Sequence, residues 1–184
     1  RIALPYDLTV PFARLVAANW QNLPMPFKRY QIQRVWRAEK PQKGRLREFY
    51  QCDIDIIGTK SLIAETEIAK VMVTVFSELG FKDFEIKFNS RRLLNNVLKS
   101  FAVEDKGTEV IRIIDKLSKV GEKVVIEMLN DIGIEKASEI LRMLRPEKGN
   151  KATLKKLVDF DLSEIEGFLK YCEEFGIDEK YLVF

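Results

Sequence analysis

Two alternating segments on either side of a basic loop constrain this chain more than any other feature. Residues 27 to 58 read FKRYQIQRVWRAEKPQKGRLREFYQCDIDIIG. With the two-residue period of a strand, Gln33, Val35, Arg37 and Glu39 share one face of the first arm, and Tyr30, Ile32 and Trp36 the other. In the second arm Tyr50, Cys52, Ile54 and Ile56 form an apolar face opposite Phe49, Gln51, Asp53 and Asp55. Such alternation predicts an antiparallel hairpin with its apolar face buried and its polar face open.

The polar face gathers an arginine, a glutamate, an amide, carboxylates and a phenyl ring. Lys40, Lys43, Arg45 and Arg47 lie between the arms on a loop opened by Pro41 and Gly44, which suits a polyphosphate. From Lys28 to Glu48 there are eight Lys/Arg against two Glu, so the mild overall charge of +3 is concentrated here. Arg37 can fork two donors to a phosphate or carboxylate, Glu39 can accept from an exocyclic amine, and Phe49 offers a stacking surface. Charge and alternation alone fit a surface hairpin with cross-strand ion pairs equally well.

Composition removes several chemistries. The chain has no histidine, so Ser-His-Asp and Cys-His catalysis and histidine-ligated metals are excluded within it. Cys52 and Cys172 form no CxxC pair, and both are expected to be buried thiols outside any metal site. No apolar run reaches the roughly 18 residues of a membrane span and no signal peptide opens the chain, so the expected setting is cytoplasmic. The start at Arg1 and the strand-like ending at Phe184 suggest an excerpt of a longer protein.

Before the hairpin, Pro5 and Pro11 predict a fixed loop carrying Asp7 and Thr9, leading into a helix from about Pro11 with Phe12, Leu15, Val16 and Trp20 buried. Asp7 also suits a simple capping role. After the hairpin, Ala64, Ile68, Val71, Met72, Val75 and Leu79 repeat at helical spacing up to Gly80. Residues 84 to 89 alternate as a strand. From about Ser90 to Phe160 strand signals vanish, and helices are read over 91–101, 108–117, 121–129, 135–144 and 151–158. This block holds 15 Lys/Arg and 11 Asp/Glu, a balance typical of solvated helix faces. A helix over 162–175 and a strand-like KYLVF follow. The expected class is α+β, with the helical block inserted into a sheet-bearing domain.

The string RVWRAEKPQKGRLREFYQ closely resembles motif 2 of class II aminoacyl-tRNA synthetases, in the form found in the histidyl-tRNA synthetase family. Upstream, LPYDLTVPFAR resembles that family's histidine-binding loop, although Pro5 and Asp7 stand where many members carry arginine and glutamate. The resemblance covers essentially the whole chain. It implies a partial antiparallel-sheet catalytic core over 1–96, a helical insertion over 97–159 contacting the tRNA acceptor arm, and a return to the core over 160–184. Lys151, Lys155 and Lys156 would then face phosphates.

The same resemblance implies site roles. Arg37 would bridge the ATP α-phosphate and the histidine carboxylate, and Glu39 would read the adenine amino group. Arg45 would reach the triphosphate tail and Phe49 would stack on adenine. Asp7, Thr9, Gln51 and Asp55 would hold the histidine ammonium and imidazole. Mg2+ would accompany ATP on ligands from a later motif, and the full-length protein would be a homodimer. Motifs 1 and 3 and a histidine-specific arginine segment would lie outside the chain, so these residues are expected to be inactive alone. A catalytically silent synthetase-like module and a plain nucleic-acid-binding domain are the competing readings.

Overall fold

The computed structural model describes residues 3–184, which divide into two compact units with the boundary after Ile68. In the first unit a turn leads into helix α1 (Thr9–Asn19), followed by strands β1 (Phe27–Trp36) and β2 (Glu48–Ile57). Helix α2 (Ile63–Glu78) carries the chain across the boundary. The second unit continues with β3 (Ile86–Lys87), α3 (Arg91–Ser100), α4 (Gly107–Ile114), α5 (Leu117–Val120), α6 (Glu122–Asp131), α7 (Ala137–Leu144), α8 (Asn150–Lys156), α9 (Ser163–Glu174) and β4 (Leu182–Val183).

The hairpin forms where the alternation predicts it. β1 and β2 pair antiparallel over their full length, from Phe27 opposite Ile57 to Trp36 opposite Glu48. Directly opposed residues share a face. Arg29/Asp55, Gln31/Asp53, Gln33/Gln51 and Val35/Phe49 therefore lie together on the polar side, and Tyr30/Ile54, Ile32/Cys52 and Arg34/Tyr50 on the other.

Which face is covered differs from the expectation. Tyr30 and Ile32 are 77 % and 62 % exposed, and Tyr50 and Cys52 are exposed beside them, whereas Val35 on the polar side is fully buried. The N-terminal turn and α1 explain the reversal. Trp36 N donates to Pro5 O (2.8 Å), and the Phe12 ring stacks on Phe27 with centroids 6.2 Å apart. A two-residue period identifies the two faces of a strand, but what lies over each is decided by tertiary packing. Of the two cysteines expected to be buried, only Cys172 is.

The helices show a similar correction. α1 begins two residues before Pro11, buries Phe12 and leaves Leu15 and Trp20 exposed. α2 buries Thr66 and Ala69, while Val71, Met72, Val75 and Leu79 are exposed. Apolar residues cover more than half of its circumference, so spacing alone does not select the buried stripe.

In the second unit the helical block holds its own apolar cluster. Leu98 of α3, Val110 and Ile113 of α4, Val125 and Leu129 of α6, and Ile140 and Leu141 of α7 are buried together. The three-residue step from Val110 to Ile113, the four-residue step from Val125 to Leu129, and the steps of three and four from the buried Ala137 to Ile140 and Leu141 are what one face of a helix requires. The strand expected over 84–89 narrows to β3, which pairs parallel with β4, Ile86 opposite Leu182. On that ladder Phe88 N donates to Val183 O (3.0 Å).

β4 is also held by a side chain. The buried Asn150, first residue of α8, donates from Nδ2 to Leu182 O (2.9 Å) and accepts from Phe184 N at Oδ1 (3.0 Å). Its carboxamide substitutes for a neighbouring strand. Asn150→Ala leaves a buried carbonyl and amide without partners, and we expect it to lower unfolding free energy by about 2–4 kcal/mol, from two lost hydrogen bonds; urea denaturation of the 184-residue chain measures this.

At the start of α9, Asp161 Oδ1 accepts from Ser163 N (3.0 Å) while Oδ2 pairs with Arg92. The Ser163 hydrogen bonds, with Arg92 adding to them, hold the Asp161 carboxyl below the usual aspartate range. A depressed folded-state value means stabilisation that is present above the unfolded-state value and lost as pH falls through the folded one. Asp161→Ala should thus lower Tm at pH 7, with the difference from wild type vanishing on acidification below the ordinary aspartate range, as followed by scanning calorimetry.

Candidate functional site

The site is assembled on the polar face of the hairpin and lies entirely in the first unit. Arg37 sits one residue past β1, where its backbone N donates to Arg47 O (2.8 Å) and continues the pairing. Its guanidinium carbon lies 5.0 Å from the Tyr6 ring centroid and 5.0 Å from that of Phe49. Arg37 Nε donates to Tyr6 O and Nη2 to Gln51 Oε1, both at 3.4 Å. No carboxylate among the described residues forms an ion pair with it. Aromatic faces position a cation without neutralising it, each contributing about 0.5–2 kcal/mol.

Beyond Arg37 the loop folds as a small hairpin of its own. Gln42 and Arg45 exchange backbone hydrogen bonds of 3.3 and 2.8 Å, and Gly44 takes a φ of +78° between them, a conformation that suits glycine. Arg37, Glu39, Lys40, Gly44, Arg45, Leu46 and Phe49 line a cavity of about 460 Å³. The four predicted nucleotide-site residues thus share one concavity. Glu39 and Arg45 form a loose, exposed ion pair at 3.8 Å. Arg47, also expected to serve a polyphosphate, stays exposed and braces the loop by donating from Nε to Glu39 O (3.2 Å).

Deeper along the same face, polar side chains form two short chains. Gln51 Nε2 donates to Asp53 Oδ2 (3.3 Å), extending the contact from Arg37. Gln31 donates to Gln33 (2.6 Å) and accepts from Arg29. Arg29 Nη2 lies 2.8 Å from Asp55 Oδ2, forming the innermost ion pair.

The turn bearing Asp7 and Thr9 runs beside this face. Its carbonyls at Pro5, Tyr6 and Leu8 accept from Trp36 N, Arg37 Nε and Arg29 Nη2. Asp7 is half-buried between two of those anchored carbonyls, and Thr9 heads α1 in an exposed position. Asp7 Oδ1 accepts from Val10 N at 3.4 Å, so the capping role is present in weak form. Arg29 and Tyr6 lie outside the candidate residues that the sequence pattern marks. The signal was there for Arg29, since extending the alternation back two steps from Gln33 places it on the polar face.

The proposed phosphate-facing lysines of the second unit divide. Lys151 and Lys155 are exposed. Lys156 is engaged in the fold, donating to the carbonyls of Arg142 (3.0 Å) and Arg145 at the end of α7 and pairing with Glu147 at 3.2 Å. Among the described residues no group of three acidic, cysteine or histidine side chains is arranged to hold a metal ion, and no helix is long and apolar enough to cross a membrane.

A family model described as histidyl-tRNA synthetase matches residues 1–175. Among curated proteins, a histidine–tRNA ligase of Cytophaga hutchinsonii is 44 % identical over 184 residues, covering 99 % of this chain and 39 % of the relative. One of Clostridium tetani is 40 % identical over 192 residues, covering 97 % of this chain and 44 % of the relative. The crystal structure of histidyl-tRNA synthetase from Nostoc sp. PCC 7120 superposes with a TM-score of 0.86 at 29 % identity, covering 98 % of this chain and 44 % of that one. The chain therefore spans about two fifths of the length of these relatives.

The exposed Glu39–Arg45 pair contributes little to folding, since such pairs give about 0–1 kcal/mol. Glu39→Gln and Arg45→Gln are each expected to leave the urea midpoint of the chain unchanged within error; a clear loss of stability would show that the pair serves the fold.

Proposed function

Because the chain belongs to the histidyl-tRNA synthetase family, we propose that the protein carrying it is a histidine–tRNA ligase, activating histidine with ATP and passing it to tRNA. The α+β class and the hairpin-based class II core agree with this membership. Arg37 carries the proposal. A guanidinium has five N–H donors, and here two are used, both in long hydrogen bonds, with the charge uncompensated by any carboxylate among the described residues. That is the state a cation needs if it is to meet an incoming anion.

In the proposed reaction the histidine carboxylate attacks the α-phosphorus of ATP and pyrophosphate departs. Arg37 would neutralise charge on the carboxylate and the α-phosphate, and would stabilise the charge that accumulates as the new bond forms. The two rings and the Tyr6 carbonyl hold it in place beforehand, so little reorganisation is needed at the moment of reaction. Glu39 would accept from the adenine amino group once its loose pair with Arg45 opens, freeing Arg45 for the triphosphate tail. Phe49 would stack on adenine. ATP would arrive as its magnesium complex, the metal being part of the substrate.

Asp7, Thr9, Gln51 and Asp55 would form the amino-acid end. A carboxylate, a hydroxyl and an amide suit an ammonium, and a second carboxylate suits the imidazole N–H. A pocket built on such hydrogen bonds rejects amino acids that leave its polar groups unpaired. Residues 97–159 are proposed as an insertion touching the tRNA acceptor arm, with Lys151 and Lys155 available to phosphates. A homodimer in the cytoplasm completes the reading.

The test is histidine-dependent exchange of pyrophosphate into ATP by the full-length protein. Arg37→Ala should reduce exchange by at least about a hundredfold, as removal of one charge-stabilising donor does in other active sites. Near-normal exchange in the variant would remove Arg37 from the chemistry, and no exchange in the wild type would favour a catalytically silent module.

A further inference from the structure

We propose that Arg29 is a positioning residue that sets the two ends of the histidine pocket at a fixed separation; this rests on the histidine-binding reading of Asp7, Thr9 and Asp55 given above. One atom makes the connection. Arg29 Nη2 lies 3.2 Å from Leu8 O, in the turn between Asp7 and Thr9, and 2.8 Å from Asp55 Oδ2 on β2. The turn comes from the N-terminal segment and Asp55 from the far end of the hairpin. Arg29 joins them directly.

The side chain is built for this task rather than for solvation. It is only 12 % exposed, and its guanidinium carbon lies 4.1 Å from the centroid of the Phe12 ring on α1. Nη1 donates to Gln31, which donates onward to Gln33, fixing the plane of the guanidinium from the strand side. Backbone register adds a further constraint, since Asp55 is the direct cross-strand partner of Arg29. The ring, the strand and the register therefore leave the guanidinium little freedom. With Nη1 held by Gln31, the guanidinium plane aims Nη2 at both acceptors, an orientation that a lysine ammonium on a flexible stem lacks.

The consequence for binding is geometric. The contact of Arg29 with Asp55 is an ion pair, and no hydrogen bond to the Asp55 carboxylate is made among the described residues, Oδ2 being buried without a donor, so the group keeps acceptor capacity for a ring N–H of the ligand. The ammonium end of the pocket hangs on the Leu8 peptide. If Arg29 sets the distance between these two ends, it sets the length of side chain the pocket reads. Losing it should relax the amino-acid end and leave the ATP end, which rests on Arg37, Tyr6 and Phe49, largely as it was.

The experiment compares wild type, Arg29→Met and Arg29→Lys in the full-length protein. Histidine Kd and ATP Kd are measured by calorimetric titration, the exchange reaction is run alongside, and Tm is recorded for each. Arg29→Met keeps the packing on Phe12 and should raise histidine Kd at least tenfold while ATP Kd moves less than twofold. Arg29→Lys should recover part of the loss. Unchanged histidine Kd, or equal losses for histidine and ATP, overturns the proposal. If Arg29→Met does not fold, Arg29→Lys decides, with a threefold or larger rise in histidine Kd alone expected; loss of folding in both variants assigns Arg29 to the scaffold and overturns it. A wild type that binds histidine without catalysing exchange defeats the ligase reading but leaves the Kd comparison decisive. A wild type that binds no histidine defeats both.

Discussion

Everything proposed for the first unit depends on the backbone register of β1 against β2. Pairing Phe27 with Ile57 and Trp36 with Glu48 puts Arg29, Gln31, Gln33 and Val35 on the same side as Asp55, Asp53, Gln51 and Phe49. A slip of one residue would send each of these side chains to the opposite face. The ion pair, the amide chain and the aromatic contact to Arg37 would then be lost together. The polar contacts of this face therefore all depend on one register.

That register also explains how a charged pair is stable on this half-buried face. Arg29 is compensated by Asp55, by the Leu8 carbonyl and by the Phe12 ring, so its removal from water is offset on three sides. Elsewhere the chain uses cations to satisfy backbone carbonyls at turns and helix ends. Lys106 donates to Ile132 O after α6, Lys156 to carbonyls at the end of α7, and Arg47 to Glu39 O in the loop. Cations at helix C-termini are favourable both as donors and against the helix dipole. A count of basic residues therefore overstates how many are available to a polyanion, and Lys156 is the instructive case.

The hairpin, its loop and the order of helices were legible because each rests on a short-range rule: alternation, glycine and proline punctuation, or spacing at three and four residues. The helix over 91–101 matches α3 nearly residue for residue, because Ser90 caps it and Leu93 and Val97 repeat at helical spacing. Burial was less legible. Tyr30, Ile32 and Tyr50 follow an apolar alternation yet stand exposed, since what covers a strand face is a tertiary matter. The role of Arg29 was hidden for a related reason, as its partners at Leu8 and Asp55 are 21 and 26 residues away and no local rule connects them. Asn150 is the same case in the second unit. In the sequence it is a polar residue after a glycine, and only the fold reveals it as a substitute strand for Leu182 and Phe184.

The contrast between Arg29 and Arg37 is the clearest chemical statement the molecule makes. They lie on one face of one hairpin, eight positions apart, and are held by similar means: an aromatic ring, a carbonyl of the N-terminal turn and a glutamine. They differ in the one contact that matters for charge. Arg29 meets a carboxylate at 2.8 Å and is spent, while Arg37 meets a second ring at 5.0 Å and remains uncompensated. Two arginines so alike in surroundings would be interchangeable if both served stability alone. Withholding the carboxylate from Arg37 forgoes a stabilising partner, and a fold has reason to do so where an anion is to arrive from outside.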